Sequence, residues 1–192
     1  MKKRIGILVF DEVDEIDFIG VYEVLQKAAQ FPGSEISPIL IGLRKSLRGA
    51  NGLVFSSEKD VADIKECDAL VIPGGKGIHS LKHDNIIKHL IINAFERKIQ
   101  FYTVCSGIFL LAYFGLILKK TVCVHHAKTD DLLNLCDCLI EKGVVRDGTI
   151  VSAGGEKEGK NMKSIQIGYE ILKDFAPQAI PYVTERLELG CN

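Results

Sequence analysis

The chain of 192 residues contains no tryptophan and has almost no net charge, since it has 24 basic and 25 acidic residues. A chain with such balanced charge lacks the excess of basic residues with which proteins bind nucleic acid or an anionic membrane. We therefore expect neither partner. At this length the chain fits one domain, residues 1–192, which buries enough surface to need no disulfide or metal for stability.

The sequence also lacks the pattern of a secretory signal or a membrane span. Its amino terminus is basic, but the apolar run that follows is short and ends at Asp11 and Glu12. The most apolar stretch, residues 100–118, holds Cys105, Ser106 and glycines in its interior, which disfavours a transmembrane helix. Six cysteines without a signal peptide predict free thiols in the reducing cytoplasm.

Short apolar runs alternate with helical patterns along the chain. The runs that predict strands buried on both faces are residues 4–10, 36–43, 68–73 and 101–104. The segments that predict the main helices are residues 17–30, 81–98, 108–118 and 163–175. Hairpins are expected in residues 44–57 and around Asp147-Gly148. This alternation predicts an α/β fold, a mostly parallel sheet with helices on both faces.

Residues 101–107 predict a nucleophile elbow, in which a strand ends on a reactive side chain and turns sharply into a helix. The strand ends at Cys105, and Ser106 and Gly107 are small enough for the turn. The partial positive charge at the start of the next helix would favour the thiolate of Cys105. The alternative is a buried structural cysteine, because free cysteines are among the most buried residues.

Four segments follow buried strands and should meet at one edge of the sheet, where ligands bind in such folds. They are residues 11–17, Pro73-Gly74-Gly75, Cys105-Ser106 and residues 154–160. In this arrangement Cys105 is the candidate nucleophile. Asp17 is the candidate proton donor or acceptor, with Glu15 or Asp14 as substitutes.

The backbone amides of Gly75 and Ser106 are the candidate oxyanion hole, because glycine lets the backbone approach a reacting atom closely. Simpler roles stay open for these residues. Asp17 would equally suit the first turn of its own helix, and Gly74-Gly75 would suit a plain turn after a strand.

Four blocks of sequence together resemble the ThiJ/PfpI superfamily. They are Ile16-Asp17-Phe18-Ile19-Gly20, Tyr22-Glu23-Val24-Leu25, Val71-Ile72-Pro73-Gly74-Gly75, and Val104-Cys105-Ser106-Gly107 with the following Leu110-Leu111-Ala112 and Gly115-Leu116. The resemblance covers most of residues 4–175. It implies a class I glutamine amidotransferase-like fold, which is a flavodoxin-like three-layer sandwich, and it implies a homodimer.

Within that superfamily the chain is most similar to the isonitrile hydratase-like branch, which usually has Asp where this chain has Asp17. Ser106 stands where the intracellular peptidase branch usually has His and the hydratase branch Thr. The resemblance therefore implies a hydratase or hydrolase that uses Cys105 on a small electrophilic molecule and needs no cofactor. A glyoxalase or deglycase, a redox-sensing stress protein using the same cysteine and, less favoured, a peptidase or amidase are the alternatives.

Two histidines, a charged stretch and a pair of cysteines are the remaining candidates for functional roles. His125 falls where many members have a histidine, and His126 follows it; either would be able to approach Cys105, or be structural. Residues 156–160 are more charged than in hydratase-like relatives, which leaves the substrate open. Cys136-x-Cys138 has too short a spacing for a zinc knuckle, so we expect no metal site.

Overall fold

The computed structural model describes residues 2–156 and 162–188. Within these residues the strands are, in chain order, β1 (Lys3–Val9), β2 (Ile36–Gly42), β3 (Ser46–Arg48), β4 (Val54–Ser56), β5 (Lys59–Asp60), β6 (Ala69–Ile72), β7 (Gln100–Val104), β8 (Thr121–Val122), β9 (Leu139–Ile140), β10 (Gly143–Asp147) and β11 (Ile150–Gly154). The α-helices are α1 (Glu15–Ala29), α2 (Ile78–Leu81), α3 (Asn85–Glu96), α4 (Ile108–Tyr113), α5 (Thr129–Leu135), α6 (Lys163–Phe175) and α7 (Ile180–Arg186).

Seven strands form the central sheet in the order β10-β11-β7-β6-β1-β2-β5. Neighbouring strands are parallel, except that β10 and β11 form an antiparallel hairpin. Every residue of β6 and β11 is buried, because helices cover the sheet and leave no face in water. The predicted α/β fold with a mostly parallel sheet is therefore confirmed.

The helices lie around this sheet in two groups. α1 packs against α6, and α7 contacts both of them. In the other group α2 contacts α4, α4 contacts α5, and α3 contacts the 3-10 helix Val61–Glu66. None of the helices in the described part of the chain is both long and apolar enough to span a membrane.

Two predicted helices are shorter in the structure than their sequence pattern indicated. Residues 81–98 are divided between α2 and α3, because the side chain of Asp84 accepts hydrogen bonds from the N–H groups of Ile86 and Ile87 and so starts a new helix. Residues 108–118 are helical only to Tyr113. Gly115 then adopts a positive φ of 74°, which ends the helix although the apolar pattern continues.

Smaller elements surround the main sheet. β3 and β4 form the antiparallel hairpin predicted in residues 44–57, and β8 pairs with β9 in a second two-stranded sheet. The weakly patterned tail contains α7, which the sequence pattern did not reveal. Most of the charged stretch at residues 156–160 and the last four residues lie outside the described residues.

Candidate active site

The predicted elbow at Cys105 is present. β7 ends at Val104, and Cys105 has a φ of 56°, in the left-handed region that non-glycine residues rarely adopt. The turn is tight, since a Cβ on Gly107 would lie 2.0 Å from the carbonyl oxygen of Ile72. The strand and the turn therefore hold the cysteine in a strained conformation at the carboxyl edge of the sheet.

Asp17 lies in the first turn of α1 and is 7% exposed. Its Oδ2 accepts a hydrogen bond of 3.1 Å from the N–H of Gly74, and the residue lines the same cavity as Cys105. Burial, and then the negative charge of Asp14, raise the pKa of Asp17 to about 7. This carboxyl therefore gains or loses its proton near neutral pH.

The expectation of a thiolate at Cys105 is wrong for this arrangement. Burial, and then the adjacent Asp17 carboxylate, raise the pKa of the Cys105 thiol to about 12. The N–H of Ser106 points at the sulfur and acts in the opposite direction, but it is outweighed. The resting pair is therefore a neutral thiol beside an acid that titrates near neutral pH.

The two candidate oxyanion donors, the amides of Gly75 and Ser106, lie near the sulfur, but they have different hydrogen-bond acceptors. The N–H of Gly75 donates a hydrogen bond of 3.1 Å to the hydroxyl of Ser106, so this amide is already occupied. The N–H of Ser106 is directed at the sulfur of Cys105. Gly74 leaves no room for a side chain, since a Cβ there would lie 2.7 Å from Oδ2 of Asp17.

The two substitute acids are placed differently from Asp17. Glu15 accepts hydrogen bonds from the backbone N–H groups of Asn51 and Leu53 and from the side chain of Asn51. Burial raises the pKa of Glu15, but these hydrogen bonds outweigh it and lower the pKa overall. Asp14 is the residue before α1 and makes no side-chain hydrogen bond to the helix start. Among these three acids, Asp17 is the one that lines the cavity together with Cys105.

A cavity of about 280 Å³ opens in front of the sulfur, and both predicted histidines line it. The rings of His125 and His126 lie against each other, with 4.3 Å between their centroids. Nδ1 of His125 accepts a hydrogen bond of 3.2 Å from the N–H of Ala127, so His125 caps the 3-10 helix that follows it. Burial, and then the neighbouring His126, lower the pKa of His125, which favours its neutral form.

Sequence reasoning missed the opposite wall of the cavity. Ile16, Met162 and Lys163 line it, and Lys163 forms an ion pair with Glu156. No short motif marks these three residues, because they come from the starts of two different helices, α1 and α6. In residues 2–156 and 162–188, no three His, Cys, Asp or Glu side chains come together as they would around a metal ion.

The elbow at the carboxyl edge of a parallel sheet, with an acid from the first helix beside the sulfur, defines a flavodoxin-like α/β protein with a cysteine-centred site. The model of the DJ-1/PfpI family matches residues 3–175, and the chain belongs to that family. The resemblance that the four sequence blocks indicated is thereby confirmed.

Relatives of this chain include enzymes. Isonitrile hydratase of Pseudomonas putida is 28% identical over 159 residues, which make up 83% of this chain and 68% of the relative. A glutathione-independent glyoxalase of Caenorhabditis elegans is 24% identical over 156 residues, 80% of this chain and 81% of that protein. Sequence identities of 28% and 24% do not assign the substrate of either relative to this chain.

Solved structures agree on the fold. Drosophila melanogaster DJ-1β has a TM-score of 0.84 at 18% identity and covers 99% of this chain and 100% of its own. A two-domain protein of Anabaena variabilis, with DJ-1/ThiJ/PfpI-like and ferritin-like domains, has a TM-score of 0.77 at 22% identity and covers 90% of this chain. The match spans 48% of that longer protein. At these identities the likeness shows the fold alone.

Proposed function

We propose that the protein is a cysteine-dependent hydratase or hydrolase that acts on a small electrophilic carbon, with an isonitrile as the first substrate to test. The observation that carries this proposal is that the buried Asp17 carboxyl and the Cys105 thiol line the same cavity, and that each influences the pKa of the other. An acid with a pKa near the working pH is suited to moving a proton.

In the proposed reaction, the Asp17 carboxylate takes the thiol proton as the sulfur of Cys105 attacks the terminal carbon of the isonitrile. The carbon then receives that proton, which leaves a thioimidate on Cys105. Water adds to its carbon–nitrogen double bond, and the carbon–sulfur bond breaks. The products are an N-substituted formamide and the free thiol, so one water is consumed for each isonitrile.

Two features of the site support a small substrate. The cavity of about 280 Å³ is at the small end of the range of ligand pockets, which begins at about 300 Å³. The N–H of Ser106 is placed to stabilise negative charge that develops next to the sulfur. The Gly75 amide would add to this if the Ser106 hydroxyl turned away from it.

A glyoxalase or deglycase activity is the second candidate, because the family includes a glyoxalase and the same thiol and acid would serve a 2-oxoaldehyde. A redox sensor at Cys105 is less well supported. Peroxide reacts with thiolates, whereas the pKa of Cys105 is raised to about 12. A peptidase is disfavoured because Ser106, rather than a histidine, follows the cysteine.

The test is a turnover screen of wild type and Cys105→Ala against isonitriles, 2-oxoaldehydes and amides. We expect the wild type to convert one class and Cys105→Ala to convert none while keeping its circular dichroism spectrum. Cys67→Ala is the matched control, because Cys67 is a buried cysteine outside the cavity. Equal turnover by wild type and Cys105→Ala would eliminate the mechanism.

We also propose a homodimer, as the family resemblance implies. Four large apolar side chains are exposed on neighbouring elements, Ile16 and Ile19 on α1 and Leu53 and Val54 at the β3–β4 hairpin. Glu15 ties the two elements together through its hydrogen bond to the N–H of Leu53. Apolar side chains grouped in this way suit a surface shared by two copies.

Sedimentation of the wild type and of Val54→Asp tests the dimer. Sedimentation that shows only monomer for the wild type would refute the dimer, and Val54→Asp should dissociate it.

A further inference from the structure

Two cysteines outside the proposed active site lie side by side. Cys136 follows α5 in an extended conformation, with φ −153° and ψ 153°, and Cys138 comes two residues later, just before β9. Exposure alternates along this stretch, since Cys136 is half-buried, Asp137 is exposed and Cys138 is 6% exposed. Alternate residues of an extended chain point to the same side, so both thiols face the apolar core.

The backbone holds this pair in place on both sides. The carbonyl of Asp137, between the two cysteines, accepts a hydrogen bond of 2.7 Å from the N–H of Lys119. The N–H of Leu139, directly after them, donates a hydrogen bond of 2.9 Å to the carbonyl of Lys120. These two hydrogen bonds therefore fix the backbone between the cysteines and directly after them.

We propose that Cys136 and Cys138 form a reversible intramolecular disulfide, a second thiol site separate from Cys105. An extended chain rises about 3.3 Å per residue, which gives about 6.6 Å between the Cα atoms of residues at this spacing. That distance is inside the range of about 4.4–6.8 Å that disulfides span, but near its upper end. A disulfide near that limit is more readily reduced, as regulatory rather than structural disulfides are.

The oxidant would be a peroxide, and Cys136 would react first because it is the more exposed sulfur. Its sulfur attacks one peroxide oxygen, the oxygen–oxygen bond breaks, and water leaves with the thiol proton, which makes a sulfenic acid. The sulfur of Cys138 then attacks the sulfenic sulfur and displaces its hydroxyl, which leaves as water with the second thiol proton. Two thiols and one hydrogen peroxide thus become one disulfide and two waters.

Cys138 is suited to the second step rather than the first. Burial, and then contact with the Cys136 thiol, raise the pKa of Cys138 to about 12, so it keeps its proton until a sulfenic acid forms beside it. Cys136 lies close enough to raise the pKa of Cys138, and the second step requires this proximity.

The experiment is peptide mass spectrometry of the full chain after mild hydrogen peroxide, followed by alkylation with N-ethylmaleimide. Trypsin cuts after Lys128 and Lys142, so one peptide carries both cysteines and no others. We expect this peptide to carry no N-ethylmaleimide and to be lighter by two hydrogen atoms than the peptide with two free thiols. Dithiothreitol before alkylation should return it to the doubly alkylated form.

Single substitutions distinguish the disulfide from other oxidation products. Cys136→Ser and Cys138→Ser should each lose the bridged peptide, whereas Cys67→Ser and Cys105→Ala should keep it. The inference therefore does not depend on the proposed catalytic role of Cys105. A wild-type peptide alkylated at both cysteines, while other thiols of the chain are oxidised, would overturn it. So would a covalent dimer on a non-reducing gel that Cys136→Ser removes and Cys138→Ser does not.

Discussion

The backbone N–H of Gly74 donates a hydrogen bond of 3.1 Å to Oδ2 of Asp17, yet that carboxyl has a pKa raised to about 7. One backbone donor does not offset the desolvation of a carboxylate that is 7% exposed and has Asp14 nearby. The charged form of Asp17 is therefore disfavoured in the folded protein. Perturbed acids of this kind are concentrated at functional sites, and their effect on stability is measurable.

Asp17→Asn should change how stability depends on pH. The folded-state pKa of Asp17 is above its ordinary value of 3.8, so its contribution to stability is present below pH 3.8 and is lost as the pH rises to about 7. The amide oxygen of Asn can still accept the Gly74 hydrogen bond. Over this range we expect the free energy of unfolding of the variant to rise relative to that of wild type. The upper limit of the rise is about 4 kcal/mol, because the pKa of Asp17 is raised by about three units.

Urea unfolding of both proteins at several pH values between about 4 and 8 measures this gain. Glu15→Gln is the control, because the pKa of Glu15 is lowered and its contribution has the opposite sign. A stability difference between Asp17→Asn and wild type that stays constant with pH would contradict the raised pKa of Asp17 in the folded protein.

Asp17→Asn should also speed the alkylation of Cys105 while it abolishes turnover. After burial, the Asp17 carboxylate is the largest cause of the raised pKa of Cys105, and a neutral amide removes it. Each pKa unit recovered should raise the rate with iodoacetamide about threefold, because the gain in thiolate exceeds the loss in nucleophilicity. Rates at pH 8, followed by mass spectrometry, test this.

Cys67 in the same samples serves as the internal reference. Burial raises its pKa to about 11, and it follows the 3-10 helix Val61–Glu66 rather than lining the cavity, so its rate should not change. Slower alkylation of Cys105 in the variant would mean that Asp17 activates the resting thiol instead of suppressing it.

Cys105→Gly should be more stable than Cys105→Ala, although both lose activity. A residue with a Cβ at a φ of 56° is strained by about 1–2 kcal/mol, and glycine is not. Part of this is offset by the larger entropy of glycine in the unfolded chain, so we expect a net advantage of about 0.5–1 kcal/mol. Urea unfolding of the two variants measures it.

The matched pair for that comparison is Cys67→Gly and Cys67→Ala. Cys67 has a φ of −80°, which any residue adopts, so alanine should be the more stable there. If alanine were also the more stable at position 105, the backbone of the elbow would not be strained.

Gly107→Ala should unfold the elbow. The added Cβ would lie 2.0 Å from the carbonyl oxygen of Ile72 and 2.9 Å from that of Pro73, and neither backbone atom can move freely. We expect a loss of more than about 3 kcal/mol, as for severe overpacking. Gly33→Ala is the control, because Gly33 has a φ of 80° but no atom within 4 Å. Its loss should stay at about 1 kcal/mol, and an equally small loss at Gly107, which has a φ of −58°, would show that the elbow is not crowded there.

The sequence by itself determined most of the fold. Short apolar runs bounded by turn residues suit inner strands, and their alternation with helical patterns leaves few arrangements besides a parallel sheet. That sheet in turn brings Asp17, Gly74 and Cys105 to one edge, since the carboxyl ends of parallel strands lie together. The position of the elbow followed from small residues after a strand, and the structure has it at Cys105.

Only the tertiary structure decided the chemistry of that edge. A helix start next to a cysteine favours a thiolate, but burial and the Asp17 carboxyl act more strongly and keep the proton on the sulfur. The ends of the helices also depended on contacts that no local pattern carries, as the cap of Asp84 and the turn at Gly115 show. Local periodicity sets which segments are buried, whereas proton affinities and cavity walls depend on groups that are distant in the chain and adjacent only after folding.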